Sequence, residues 1–276
     1  MSILNGITLI KYNGFSLKKD LKIGRFDFSF LQALLANISA IQENTGGINM
    51  QPIYRHEYKH IINRAEYYEA KSRFDGLLQK DEHTNGQGYY FVRSLYFDNL
   101  YDKVLREKQE GIDPREKFRI RLYNHDTSFI RLEKKGKYRG LTTKSTIPLS
   151  VDTCERIIGL SLSLEDTGSP DLLTELYVRM KYELLRPRTI VDYKREAYVF
   201  PSGNVRVNLD TEIRTGLFRN DFFNAALPTI DTGIGSFAVL EVKYDAFFPD
   251  FIADIVKIRN RHSSSVSKYC VCRAFA

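Results

Sequence analysis

The feature that most constrains this chain is a two-residue alternation of charged and apolar side chains, repeated in segment after segment. In the run Lys117-Phe118-Arg119-Ile120-Arg121-Leu122 the cations share one face of a strand and the apolar residues the other, because successive side chains of a β-strand point to opposite sides. Arg131, Glu133 and Lys135 lie opposite Ile130 and Leu132. Arg206, Asn208 and Asp210 lie opposite Val205, Val207 and Leu209, and Glu241 and Lys243 opposite Leu240, Val242 and Tyr244. Arg55, Glu57 and Lys59 fit the same scheme, as does Arg195 between Tyr193 and Ala197. One such strand would mean only a sheet with a wet face. Arginines at i and i+2 stand about 7 Å apart, and repeated over neighbouring strands they build a positive surface that repels itself unless an anion fills it. Arginine supplies permanently charged, forked donors suited to phosphate oxygens. Glu133 and Glu241, set among these cations, are natural oxygen ligands for Mg²⁺ or Mn²⁺, ions that share their ligands with phosphates. The pattern predicts a barrel that is charged inside, apolar outside and clad in helices, with a lumen suited to a phosphate chain and a divalent metal.

The rest of the chain agrees with an α+β fold of about eight mostly antiparallel strands, enough to close a barrel. Strands are expected over residues 89–98, 116–123, 129–135, 144–148, 189–200, 205–209, 238–244 and 265–272, with a hairpin turn at Asn124-His125-Asp126. A capping box, Asn63-x-x-Glu66, opens a helix that carries Tyr67, Phe74, Leu77 and Leu78 on one side. Ser150 caps a short helix through Ile158. Ser169-Pro170 opens another, with Leu172, Leu173, Leu176, Tyr177 and Met180 as its buried stripe and Pro187 as its stop. A last helix is expected over residues 250–258. The first fifty residues lack this patterning and end in Asn44-Thr45-Gly46-Gly47. Residues 1–51 are expected to be an N-terminal extension, either poorly ordered or upstream of the true start at Met50, and residues 52–276 the domain.

Charge and composition narrow the function without choosing it. Of 276 residues, 41 are Lys or Arg against 34 Asp or Glu, a net +7 that permits an anionic partner. Cys154, Cys270 and Cys272 are too few for a disulfide framework and fit a reducing compartment, and they lack the second pair a zinc site needs. No stretch reaches the length of a transmembrane helix, and the chain reads as cytoplasmic. There is no P-loop, no strand-linked G-x-G-x-x-G and no H-E-x-x-H, and the histidines at 56, 60, 83, 125 and 262 show no metal-ligand spacing. Tyr and Phe read as lying mostly opposite the charges, as core packing rather than a base-stacking platform, which argues against nucleic acid.

The segments Tyr54-Arg-His-Glu-Tyr-Lys59, Arg93-Ser-Leu-Tyr-Phe-Asp98, Lys117-Phe-Arg-Ile-Arg-Leu-Tyr123 and Leu132-Glu-Lys-Lys135 resemble those of the VTC domain. So do Tyr193-Lys-Arg-Glu-Ala-Tyr198, Val205-Arg-Val-Asn-Leu-Asp210, Leu240-Glu-Val-Lys-Tyr244 and Ser267-Lys-Tyr269. This is the polyphosphate polymerase domain of the vacuolar transporter chaperone complex and its bacterial relatives. The resemblance implies the triphosphate tunnel fold, an eight-stranded antiparallel barrel, and transfer of the γ-phosphate of ATP onto a growing polyphosphate chain with Mn²⁺ or Mg²⁺. Carried over position by position, it implies that Lys59, Arg119, Arg121, Lys135, Arg195, Arg206 and Lys268 bind phosphates along the tunnel, joined by Lys144 and Lys243. It makes Glu241 the principal metal ligand, Glu57 and Glu133 additional metal or water-positioning groups, and Ser267 a donor to phosphate. The eukaryotic complex adds a phosphate-sensing helical domain before this domain and membrane helices after it, for which this chain has no room. The expectation is therefore a stand-alone catalytic domain, tethered if at all through a membrane partner protein. Two other functions remain open: a triphosphate hydrolase of the same fold, and a protein that binds polyphosphate or nucleotide without turnover.

Overall fold

The computed structural model describes residues 54–276, apart from residues 85, 168–170, 234–236, 259–263 and 275–276, together with the backbone of Ile10–Tyr12 and Phe15–Leu17. The chain divides into Met1–Asn49 and Met50–Ala276. In the first unit the two short segments pair antiparallel. The remainder of the expected extension, the Ser169-Pro170 helix start and His262 lie outside the described residues.

In the second unit, eight strands form one antiparallel sheet. They are β1 (His56–Asn63), β2 (Tyr90–Asp98), β3 (Arg115–Tyr123), β4 (Asp126–Tyr138), β5 (Leu141–Leu149), β6 (Arg186–Phe200), β7 (Val205–Thr215) and β8 (Phe237–Tyr244), in the spatial order β1-β8-β7-β6-β2-β3-β4-β5. Two-residue segments, Gln79–Lys80 and Ile230–Asp231, pair with β6 and β7. The sheet curls until its edge strands meet. The Arg55 amide donates to the Thr142 carbonyl at 3.0 Å and the Thr142 amide donates back at 3.1 Å. The β3–β4 turn has Asn124 and His125 at φ 49° and 58°, the left-handed pair that matches a two-residue hairpin to the twist of its strands.

The outer face carries two apolar cores. One packs Leu95, Phe97, Phe118, Ile120 and Leu132 against α3 (Val151–Ile158) and α4 (Leu172–Tyr182) through Ile157, Leu173, Leu176 and Met180. The other packs Tyr198, Val207, Leu209, Leu240 and Val242 against α1 (Arg64–Leu77) and α5 (Asp250–Val256) through Ala70, Phe74 and Ile252. The expected capping box opens α1: Asn63 Oδ1 accepts from the Glu66 amide at 2.9 Å, and Glu66 Oε2 accepts from the Asn63 amide at 2.7 Å. Ser150 caps α3 as expected.

Three local expectations are corrected. Leu77 is not on the buried side of α1 but 58% exposed, because Ala70 and Phe74 at a four-residue spacing set the buried stripe. Pro187 does not stop α4, which is already capped at Glu183. It lies near the start of β6, opposite Phe97 and next to a register shift, a position in a strand where proline is tolerated. Residues 265–272 are not a strand. Ser267 accepts from the Cys270 amide and starts α6 (Lys268–Arg273), whose Tyr269 and Cys272, three apart, are buried on one side. That side packs with Tyr96, Val191 and Tyr193 on the inner face of the sheet. A further helix, α2 (Lys103–Gln109), is held by Asp98, whose carboxylate accepts from the amides of Val104 and Leu105.

Truncating Phe74, which is fully buried, to Ala should lower stability by about 3–5 kcal/mol. Leu77→Ala, three residues on, should stay within about 0.5 kcal/mol. Denaturant unfolding of the two variants checks both, and equal losses would refute this placement of the α1 face.

Candidate functional site

The register of the sheet decides which charges meet inside it. Glu241 of β8 stands between Asn208 of β7 and Lys59 of β1. Asp210 of β7 faces Arg195 of β6, and Arg119 of β3 lies between Tyr96 of β2 and Glu133 of β4. All these residues belong to the inner face, so the alternation read from the sequence puts the charges into one lumen.

Each inner carboxylate gathers several cations. Glu133, 1% exposed, accepts from Arg119 at 2.6 Å and Lys144 at 2.6 Å, with Arg121 at 3.8 Å. Glu241 meets Arg195 at 3.1 Å, Lys243 at 3.1 Å and Lys59 at 3.5 Å. Glu57 pairs with Lys59 and, across the seam between the edge strands, with Lys135 of β4. Asp210 holds Arg195 through two bonds of 2.6 and 2.7 Å, and Lys268 of α6 at 2.6 Å. Arg206 is bound to Asp81 at 2.7 Å and to the Tyr90 hydroxyl at 2.9 Å. Ser267 caps α6 and lines, with Glu57, Lys59, Lys117, Lys135 and Tyr269, a cavity of about 110 Å³.

These surroundings shift the titration of the groups. Burial pushes the Glu57 carboxyl up, as does Glu241, but Lys59, Lys135 and Lys243 outweigh both and bring it down to about 2. Glu133 and Glu241 are likewise driven well below the usual carboxylate range despite burial, by Arg119, Arg121 and Lys144 in the first case and chiefly by Lys243 and Lys59 in the second. For Lys117, Lys135 and Lys243 the balance reverses, whereas Lys59, Arg119, Arg121 and Arg195 are held above their usual range. Burial brings Lys243 down to about 7 against the pull of Glu241. Burial also brings Lys117 down to about 8, with Lys135, Lys59 and Arg119 adding to it. Among the described residues, the lumen therefore holds its carboxylates ionised, while burial weakens the hold of Lys117 and Lys243 on their protons.

Of the residues singled out in the sequence, the structure brings Lys59, Glu57, Arg119, Arg121, Glu133, Lys135, Lys144, Arg195, Lys243, Glu241 and Lys268 into this web, with Ser267 at the cavity and Arg206 tied to Asp81. Sequence reading missed Asp210 as a site residue, and it gave no role to the tyrosines. They do not all lie opposite the charges: the Tyr96 hydroxyl accepts from Arg119 at 2.9 Å and the Tyr193 hydroxyl from Arg121 at 3.0 Å. The two-residue count that placed Arg195 inside also places Tyr193 there, so the signal existed. Nothing local marks Asp81, which sits outside the sheet strands.

Among the described residues no three His, Cys, Asp or Glu side chains form a metal-holding group. Glu57 and Glu241 stand close enough to share Lys59, whereas Glu133 is enclosed by Arg119, Arg121 and Lys144. Two neighbouring carboxylates fit a Mg²⁺-type ion that takes its remaining ligands from phosphates and water, and do not make an all-protein cage. Also among the described residues, no helix is long and apolar enough to cross a membrane.

The likenesses to known proteins fall into two kinds. No curated protein matches the chain at a level that shows kinship. Among solved structures, a Hippeastrum protein described as an adenylyl cyclase with a dominant triphosphatase activity superimposes at a TM-score of 0.47 and 12% identity, over 81% of this chain and 96% of that one. The PH1012 protein of Pyrococcus horikoshii gives 0.42 and 12%, over 78% and 96%. A Bacillus halodurans protein described as an adenylate cyclase gives 0.38 and 12%, over 73% and 86%. Similarity this distant does not bear on activity. The family model described as the VTC domain matches residues 54–276, all eight strands of the sheet included, and the chain belongs to that family.

Proposed function

We propose that the protein is an ATP- and metal-dependent polyphosphate polymerase, which transfers the γ-phosphoryl group of ATP onto a polyphosphate chain inside the basic lumen. The observation that carries this reading is the imbalance of charge. Among the described residues, Lys59, Lys117, Arg119, Arg121, Lys135, Lys144, Arg195, Arg206, Lys243 and Lys268 converge with Glu57, Asp81, Glu133, Asp210 and Glu241 as their carboxylate partners. A linear polyanion supplies the missing negative charge along the whole lumen.

Phosphoryl transfer asks mainly for positioning and for stabilisation of spread negative charge, so no covalent enzyme intermediate is needed. Arg119 and Arg121, side by side on β3 and anchored through Glu133, Tyr96, Ser94 and Tyr193, offer fixed forks to the equatorial oxygens of the transferring group. Lys59, Lys135, Lys243 and Lys268 exchange their carboxylate partners for phosphate oxygens and hold donor and acceptor in line. Arg195 stays locked to Asp210 and presents the rest of its guanidinium to the lumen. Glu57 and Glu241 are the groups that would hold a divalent ion against the phosphates. When bound, that ion neutralises phosphate charge and polarises the transferring group. Residues 52–276 form the catalytic part, and any membrane association runs through a partner protein.

Incubated with ATP and Mn²⁺, the purified protein should give long chains on a polyphosphate gel, and Glu241→Gln should give none. Arg121→Ala should lower the rate on the order of 10²–10³-fold, the scale of losing one preorganised donor. Free phosphate without chains would replace the polymerase with a triphosphate hydrolase, and saturable polyphosphate binding without turnover would leave a binding protein.

The affinity for tripolyphosphate should also depend on pH through Lys117. The ammonium form attracts the anion, so binding should be tightest below about 8 and weaken as pH rises through that value. Calorimetric titration of Lys117→Met should show this component lost. An unchanged pH profile would remove Lys117 from the phosphate path.

A further inference from the structure

Tyr96 enters the mechanism above only as an anchor for Arg119. Tyr96 of β2 is 3% exposed and lies among the cations of β3. Its hydroxyl oxygen accepts from Arg119 at 2.9 Å, and the Lys117 ammonium and Arg119 guanidinium stand 5.6 and 5.7 Å from its ring centroid. Arg121 follows on the same strand, and Lys59 of β1 feels the same ring. From α6 the Tyr269 ring lies tilted against it at 5.3 Å, and its hydroxyl donates to Asp98 at 2.6 Å, so it offers Tyr96 no charge. On β6 the residue opposite Tyr96 is Thr189. The nearest carboxylate of the web, Glu133, is reached only through Arg119. Among the described residues, the hydroxyl's bond from Arg119 uses its oxygen, and its own proton has no acceptor. A buried donor with no acceptor, aimed into a lumen that lacks negative charge, marks a place for an anionic oxygen.

Resting on the reading of the lumen as a phosphate tunnel, we propose that Tyr96 is a further phosphate-contacting residue: its hydroxyl, held by Arg119, donates its proton to an oxygen of the bound polyanion. The electrostatics agree with this geometry. Within the protein burial pushes the phenol up, but Arg119, Lys117 and Arg121 outweigh burial and bring it down to about 7. A polyanion cancels the field of those cations, and phenolate beside it would be repelled. The bound state is therefore the phenol, and a molecule that starts as phenolate takes one proton from solvent as the polyanion enters. Phosphate binding and protonation of Tyr96 are one linked event, a second contribution to pH dependence distinct from that of Lys117.

The chain has no tryptophan, so tyrosinate absorbance can be followed without overlap. Tripolyphosphate should be titrated into the full chain at a pH above 7, with tyrosinate absorbance and calorimetric heat recorded on the same samples. Binding should abolish the absorbance of about one tyrosinate, a signal blind to Lys117. Tyr96→Phe, which keeps the ring packed on Tyr269, should show no such loss and should bind about ten-fold more weakly, the scale of a hydrogen bond to a charged group. Tyr101→Phe, at a 70% exposed position, should match the unaltered chain. Tight binding with no change in absorbance, or Tyr96→Phe binding as tightly as the unaltered chain, overturns this inference and leaves the phosphate tunnel standing. No binding of tripolyphosphate by the unaltered chain overturns the tunnel reading and this inference with it.

Discussion

Burial of like charge inside a curled sheet is the constraint on which the rest of this structure depends. Moving an ion out of water costs several kcal/mol even after relaxation, and removing one partner of a buried pair leaves that cost uncompensated. Here the carboxylates are shared. Glu133 serves Arg119, Arg121 and Lys144, Glu241 serves Arg195, Lys243 and Lys59, and Asp210 serves Arg195 and Lys268. Sharing keeps these carboxylates ionised, and burial, more than any neighbouring charge, depresses Lys117 and Lys243. The pairing of Glu57 with Lys135 also helps to close the seam between the sheet's two edges, next to the Arg55–Thr142 bridge. The same charges thus shape the barrel and prepare it for an anion.

Rigidity comes from the other side of the sheet. Two apolar cores, built on α3 and α4 and on α1 and α5, fix the outer face and therefore the register, while the inner face is left to chemistry. A shift of one residue in any strand would send its charges into an apolar core, so hydrophobic packing outside enforces the placement of charge inside. On the inner face Tyr96 and Tyr193 pack with Tyr269 of α6, and their hydroxyls accept from Arg119 and Arg121. An arginine held by a tyrosine hydroxyl keeps its full charge for a ligand, whereas one held by a carboxylate has part of it cancelled. Arg121, bonded to Ser94 and Tyr193 with Glu133 no nearer than 3.8 Å, is the clearest instance.

Much of this was written in local patterns. The alternation in β3, β4, β7 and β8 fixed which residues share a face, and the caps at Asn63 and Ser150 fixed where α1 and α3 begin, because both depend on neighbours a few positions away. Where sequence reading failed, non-local contacts won. Residues 265–272 carry residues compatible with a strand, yet Ser267 caps a helix whose Tyr269 is drawn to the distant Asp98. Leu77 has the chemistry of a core residue but no surface to meet.

The sequence by itself determined the α+β class, the two-faced strands, the family and nearly all of the cationic set, since each follows from side-chain period and residue type. The tertiary structure alone decided which charges became partners. That Asp210 takes Lys268 from a helix more than fifty residues away, that Glu57 reaches Lys135 across the seam, and that Tyr96 faces the arginines without a carboxylate beside it are products of register and closure. Pairing in space depends on strand order and curl, which no stretch of sequence encodes alone.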